Sequence, residues 1–373
     1  MARPRRRPPP PGAALPPDAR RPLQGVFPGF VAPYGVAVAL GGAAVVVANS
    51  GADTLHLYAP ATGAVSYLAG AKGPGGVDGV GSAAVLSGTG QLAASALWPD
   101  IVYLAESNFN RVRVVNVTSR NVSTLCGVGS TSAYGFADGP APLARLAHPE
   151  GVAVVPLSGA LPPDPAAGEV IYITENAAPS FRVRACYANG TIASVAGSAT
   201  AAATDAALPL AAFFYPRGIS ALNASLLYVA DTPVHKIRLI NFASGVVVTA
   251  AGSGSVGATD GAAPAATFNN PRSLCAHGAS GAVYIVDTGN QRLRLLLNGA
   301  VTTAAGGGAV DASGGAVTFS SPLGCALDAP AGALYITDSC GSCLSGHMHQ
   351  AGHHIKQPRW QPVNYCHCQL DIE

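Results

Sequence analysis

Residues 282–296 read AVYIVDTGNQRLRLL, and one unit upstream residues 226–240 read LLYVADTPVHKIRLI. Each copy is an apolar strand ending in an acid, a tight turn, then a strand opening on alternating bases. Asp287 stands with Arg292 and Arg294, and Asp231 with Lys236 and Arg238. A carboxylate close to two cations can serve chemistry or can hold a turn together. An active site needs its residues once, whereas a structural device returns with every repeat. The distribution of the pattern therefore decides between them.

The pattern returns along the whole chain. VVVANS, IVYLAES, VIYITEN, LLYVADT, AVYIVDT and ALYITDS carry Asn49, Glu106, Glu175, Asp231, Asp287 and Asp338, spaced by 57, 69, 56, 56 and 51 residues. The long interval contains LSGALPPDPAAGE, residues 157–169, a Pro-rich insertion of the kind a surface loop tolerates. Upstream of each copy stands a second set of landmarks: an Asp, an apolar residue eight on, a proline three beyond, and usually a glycine two after that. Asp138–Leu146–Pro149–Gly151, Asp205–Phe213–Pro216–Gly218 and Asp311–Phe319–Pro322–Gly324 fit fully. Asp260–Phe268–Pro271–Ser273 ends in serine, Asp78–Leu86–Thr89–Gln91 keeps only the register, and the first unit enters late at Phe30–Pro33–Gly35. Each unit thus offers four short strands, and such sheets bury both faces only when stacked radially, as in a β-propeller.

YIVDTGNQRLRL (residues 284–295) and YLAESNFNRVRV (103–114) resemble NHL repeats, and the resemblance covers roughly Phe30 to Ser339. It implies an all-β, six-bladed NHL-type propeller of four-stranded antiparallel blades. The last blade is expected to be incomplete, because the repeat stops after YITDS. The expected organisation is an Arg/Pro-rich disordered arm (1–25), the propeller (26–339) and a poorly ordered Cys/His-rich tail (340–373). The recurring acids and arginines, including Glu106 with Arg113 and Glu175 with Arg184, are read as structural, and Tyr103, Tyr172, Tyr228, Tyr284 and Tyr335 as core.

Function is then sought where the register is kept but the chemistry varies. The residue after each proline does this: Tyr34, Gly90, Glu150, Arg217, Arg272 and Leu323. In propellers that this chain resembles, that turn lies at the mouth of the central channel. Tyr34, Glu150, Arg217 and Arg272 are therefore the candidate ligand-binding residues, with two guanidiniums able to clasp a carboxylate or phosphate. The resembling amidating lyases place zinc-binding histidines around the channel. Here His56, His148, His235 and His277 occupy different repeat positions, and no nucleophile-elbow or phosphate-loop motif occurs.

Charge narrows the partners. Residues 1–21 hold six arginines and one acid, leaving 15 bases and 18 acids, a net of −3, in the remainder of a chain with 21 bases and 19 acids. The body is no general polyanion binder, so nucleic acid is not expected. The arm has no apolar core of a signal peptide, and no segment is long and apolar enough for a membrane span. Cys126, Cys186, Cys275 and Cys325 fall in or beside strands and are expected as buried free thiols. Cys340, Cys343, Cys366 and Cys368 in the tail have spacings that suit zinc or disulfides. Four Asn-x-Ser/Thr sequons occur, at Asn116, Asn121, Asn189 and Asn223; they lean towards a secretory route, set against about two expected by chance and no visible signal peptide, so the sequence assigns no compartment. The expected function is a non-catalytic scaffold that presents its loops and channel mouth to a protein or a small anionic ligand. The alternative is a metal-dependent hydrolase or lyase resembling gluconolactonases or the amidating lyase.

Overall fold

A computed structural model describes residues 30–73, 76–129, 134–141, 143–157, 168–307, 318–339, 346–352, 359–360 and 370–371. The arm and the four tail cysteines lie outside the described residues, as does Asp311. The chain is all-β, built of antiparallel sheets in a propeller arrangement. The first blade is β1 (Pro33–Ala39), β2 (Ala44–Asn49), β3 (Thr54–Ala59) and β4 (Ala64–Ala69). The second is β5 (Thr89–Ala94), β6 (Ile101–Glu106), β7 (Arg111–Asn116) and β8 (Asn121–Cys126); the third is β9 (Pro149–Pro156), β10 (Glu169–Glu175), β11 (Val183–Tyr187) and β12 (Ile192–Ala196). The fourth is β13 (Pro216–Asn223), β14 (Leu226–Asp231), β15 (Lys236–Asn241) and β16 (Val246–Ala251); the fifth is β17 (Pro271–His277), β18 (Ala282–Asp287), β19 (Arg292–Leu297) and β20 (Ala300–Gly306). Five blades, rather than six, thus carry four principal strands. The remaining sheet has three: β21 (Pro322–Asp328), β22 (Ala333–Ser339) and β23 (Gly346–Gly352), the last drawn from the segment assigned to the tail.

Six apolar clusters lie between successive sheets among the described residues. One joins β2 and β3 to β5 and β6 through Val46, Leu55, Leu92 and Leu104, and another joins the three-stranded sheet to the first blade through Val45, Tyr58, Ala326 and Tyr335. Burial between sheets, rather than within one, explains why each unit needs its neighbours. The Pro-x-Gly signature has an equally local cause. A Cβ on Gly151 would stand 2.2 Å from the Arg217 carbonyl oxygen, one on Gly218 2.5 Å from that of Arg272, and one on Gly324 2.0 Å from that of Tyr34. At these three positions successive inner strands approach too closely for a side chain.

The recurring acid and arginine form one network per blade. Arg294 reaches Asp287 at 2.9 Å and Asp260 at 2.6 Å; Arg238 reaches Asp231 at 3.1 Å and Asp205 at 2.7 Å. Arg113 joins Glu106 at 2.8 Å to Asp78 at 2.9 Å, and Arg184 joins Glu175 at 2.9 Å to Asp138 at 2.5 Å. All four guanidiniums are fully buried. Each also donates to two carbonyls of the incoming linker, as Arg294 does to Thr267 (3.0 Å) and Thr259 (2.9 Å). The inner acid accepts a linker N–H, from Asn269 at Asp287 (2.7 Å) and from Phe214 at Asp231 (2.8 Å). The Asp landmark far upstream is therefore the outer half of the clamp. It also caps the fourth strand, as Asp260 accepts the Thr303 N–H at 2.9 Å. Burial pushes the Asp231 carboxyl up to about 7, and those of Glu175 and Asp287 upward too, against the pull of the facing arginines and N–H donors. The clamp is a structural element repeated in four blades, which answers the question raised by residues 282–296.

The cysteines depart from expectation. Cys126–Cys186 and Cys275–Cys325 are disulfides, with Cα separations of 6.5 and 6.1 Å. The first joins the second and third blades, and the second joins the fifth blade to the three-stranded sheet. Cys275 and Cys325 lie on the equivalent inner strands of neighbouring sheets, whereas Cys126 on the fourth strand of the second blade meets Cys186 on the third strand of the third across their shared apolar seam. Treating them one at a time as core residues concealed this.

Candidate functional site

The inner strands line a channel of about 210 Å³, faced by Val36, Leu92, Val152, Ile219, Leu274 and Cys325 among others. All inner strands start at the same end of it, where the residue after each proline lies. The close approach of Gly151 to Arg217, Gly218 to Arg272 and Gly324 to Tyr34 fixes the order of these residues around the opening.

Four of the sequence-selected residues meet there. Arg217 Nη1 donates to Glu150 Oε1 at 2.7 Å, and Asn176 Nδ2 donates to Glu150 Oε2 at 3.1 Å. Both carboxylate oxygens are thus engaged, and Glu150 is 7% exposed. Arg272 lies over the ring of Tyr34, with its guanidinium carbon 5.6 Å from the centroid. The Tyr34 hydroxyl is buried and completes no hydrogen bond of good geometry. Burial, and after it the nearby Glu150 carboxylate, raise its ionisation well above the usual tyrosine range, so it is a neutral donor at any physiological pH. Among the described residues no acid pairs with Arg272, which is half-buried. The mouth therefore combines one neutralised cation, one cation without an acidic partner and one phenol. Gly90 has no side chain to contribute, and Leu323 is buried.

Two participants escaped the sequence reading. Gln91 stands where four other units have glycine and one has Ser273, and it crosses the channel: its Nε2 donates to the Ile219 carbonyl and its Oε1 accepts the Ile219 N–H, both at 3.3 Å. It floors the mouth with an amide whose donor and acceptor are both used. Asn176 stands where other units have Ser50, Ser107, Thr232, Thr288 or Ser339. Both are departures from the repeat at a fixed register, which is the signal that finds them.

The histidines are dispersed. His235 Nδ1 accepts the Asn270 N–H at 3.0 Å, tying the fourth blade to the fifth, and the corresponding Asn110 ties the second to the third by accepting the His148 N–H at 3.0 Å. Among the described residues no three His, Cys, Asp or Glu side chains gather closely enough to hold one metal ion. No described helix is long and apolar enough to cross a membrane.

No protein-family model matches the chain, and no curated protein matches it. Solved structures do. A protein of unknown function from Bacteroides thetaiotaomicron superposes with a TM-score of 0.59 at 18% identity, over 86% of this chain and 69% of that one. An auxiliary nutrient binding protein from Bacteroides ovatus gives 0.58 at 14% identity, over 87% and 70%. A gluconolactonase from Xanthomonas campestris gives 0.54 at 14% identity, over 86% of each chain. At such identities the likeness is one of fold, and these neighbours place the chain among propeller-type structures.

Proposed function

We propose that this chain is an NHL-type propeller, with the three-stranded sheet serving as its sixth blade, and that it works as a non-catalytic binding module whose channel mouth receives an anionic group of a small ligand or a protein partner. The observation that carries the reading is Arg272: a half-buried guanidinium with no acidic partner among the described residues, braced on the Tyr34 ring beside an unsatisfied phenol. A carboxylate or phosphate entering there would gain a charge-assisted pair to Arg272 and a hydrogen bond from Tyr34. Arg217, held by Glu150, would set the wall of the pocket rather than supply a second free charge. The likeness of fold to an auxiliary nutrient binding protein supports a binding role.

A metal-dependent hydrolase or lyase is the second reading, favoured by the gluconolactonase neighbour. Such a site needs several ligands around one ion, and Glu150 is the mouth's one carboxylate among the described residues, with both oxygens already hydrogen-bonded. Titrating gluconate and inorganic phosphate into wild type and Arg272→Ala, with metal analysis of the same samples, separates the readings. The binding reading expects saturable heat that Arg272→Ala abolishes and no stoichiometric ion. Equal heats from the two proteins would discard the mouth. A tightly held ion lost in Glu150→Gln would establish the enzyme reading instead.

A further inference from the structure

We propose that this chain is a protein of an oxidising, N-glycosylating compartment, carrying glycans at Asn121, Asn189 and Asn223 on the face opposite the channel mouth. The strand order places the sites. Inner strands start at the mouth, so in antiparallel blades the turns after the first and third strands lie on the far face. Asn121 opens β8 after the turn from β7, and Asn189 lies in the turn between β11 and β12. Asn223 ends β13 at its turn into β14. All three are exposed. Asn189 Oδ1 accepts the Thr191 N–H at 3.0 Å and Asn223 Oδ1 accepts the Ser225 N–H at 2.9 Å. Those bonds use the oxygen and leave out the amide nitrogen, the atom to which the sugar is joined. Asn116 differs: it is half-buried, and its amide nitrogen donates to Asp100 at 2.9 Å, so it stays unmodified.

The disulfides are the independent observation. Cys126–Cys186 and Cys275–Cys325 bridge sheets at two separate seams, and structural disulfides persist where glutathione does not reduce them. The same compartments attach glycans to exposed Asn-x-Ser/Thr turns. Three glycans on the second, third and fourth blades would cover one face and leave the Arg272 mouth open. This inference does not depend on what the mouth binds.

The test is the mass of the chain purified from cells that make it, alkylated at once without reductant, before and after peptide N-glycosidase treatment. The expected result is the loss of three glycans, mapped as deamidation at Asn121, Asn189 and Asn223 but not Asn116, with Cys126, Cys186, Cys275 and Cys325 unalkylated. Thr191→Ala, which leaves the asparagine in place, should remove one glycan and leave the other two. Unmodified asparagines, occupancy at Asn116 alone, or alkylation of those four cysteines would overturn the proposal.

Discussion

Replacing Arg294 by methionine removes the centre of one clamp while keeping much of the apolar stem. Asp287 would then be fully buried and without its counter-ion, and the Thr259 and Thr267 carbonyls would lose their donor. Breaking a buried pair from one side costs about 3–5 kcal/mol, a large share of the stability of a domain. Asp260, the outer acid, has a side chain 44% exposed, so Asp260→Asn should cost about 1 kcal/mol or less. Burial already works against the Asp287 charge, so the intact pair adds little net stability and the cost lies in orphaning one partner. The double variant Asp287→Asn/Arg294→Met should accordingly be less destabilised than the sum of its singles, by about 1 kcal/mol or more. Urea unfolding followed by tryptophan and tyrosine fluorescence measures wild type, Asp260→Asn, both singles of the cycle (Asp287→Asn and Arg294→Met) and the double variant. An Arg294→Met protein within about 1 kcal/mol of wild type would refute the structural assignment of the repeated acid–arginine pattern.

Three further outcomes are expected. Gly151→Ala places a methyl against the Arg217 carbonyl, which should cost about 1–3 kcal/mol in urea midpoint terms and weaken anion binding by displacing Arg217. Replacing both Cys275 and Cys325 by serine opens a loop with a sequence separation of 50 and should cost about 2–4 kcal/mol in the same urea assay, less than full reduction of the wild type, which also opens Cys126–Cys186. Burial lowers the pKa of His56, which packs on Phe30 and Tyr67. Below the unfolded value of about 6.5 the unfolded chain binds more protons, so wild type should lose stability relative to His56→Gln as pH falls from 7 towards 5. Parallel thermal-denaturation curves across that range would contradict it.

Much of the fold was legible because the repeat is written at fixed register. The strands around Tyr284 and Arg294, the linker phenylalanines Phe213 and Phe268, and the clamp acids Asp205 and Asp260 all recur, and the structure gives each one role in every blade where it is described. Features joining blades were less legible. The Cys126–Cys186 and Cys275–Cys325 bridges, the Asn110 and His235 ties, and Gln91 reaching Ile219 depend on which residues of different units face each other. A single strand's pattern does not carry that information. At the mouth, the sequence placed Tyr34, Glu150, Arg217 and Arg272 together, but the pairing of Arg217 with Glu150 needed three dimensions. The last sheet's third strand, β23, carries no repeat signature and was visible only in the pairing of Gly346–Gly352 with Ala333–Ser339.

The division between repeated scaffold and unrepeated mouth is tested most directly by measuring calorimetric anion binding and urea midpoint together for Arg272→Ala and Arg294→Met. The mouth variant should lose binding at an unchanged midpoint, and the clamp variant should lose midpoint while its folded fraction binds like wild type. Binding retained by Arg272→Ala, or lost from Arg294→Met at undiminished stability, would contradict the division.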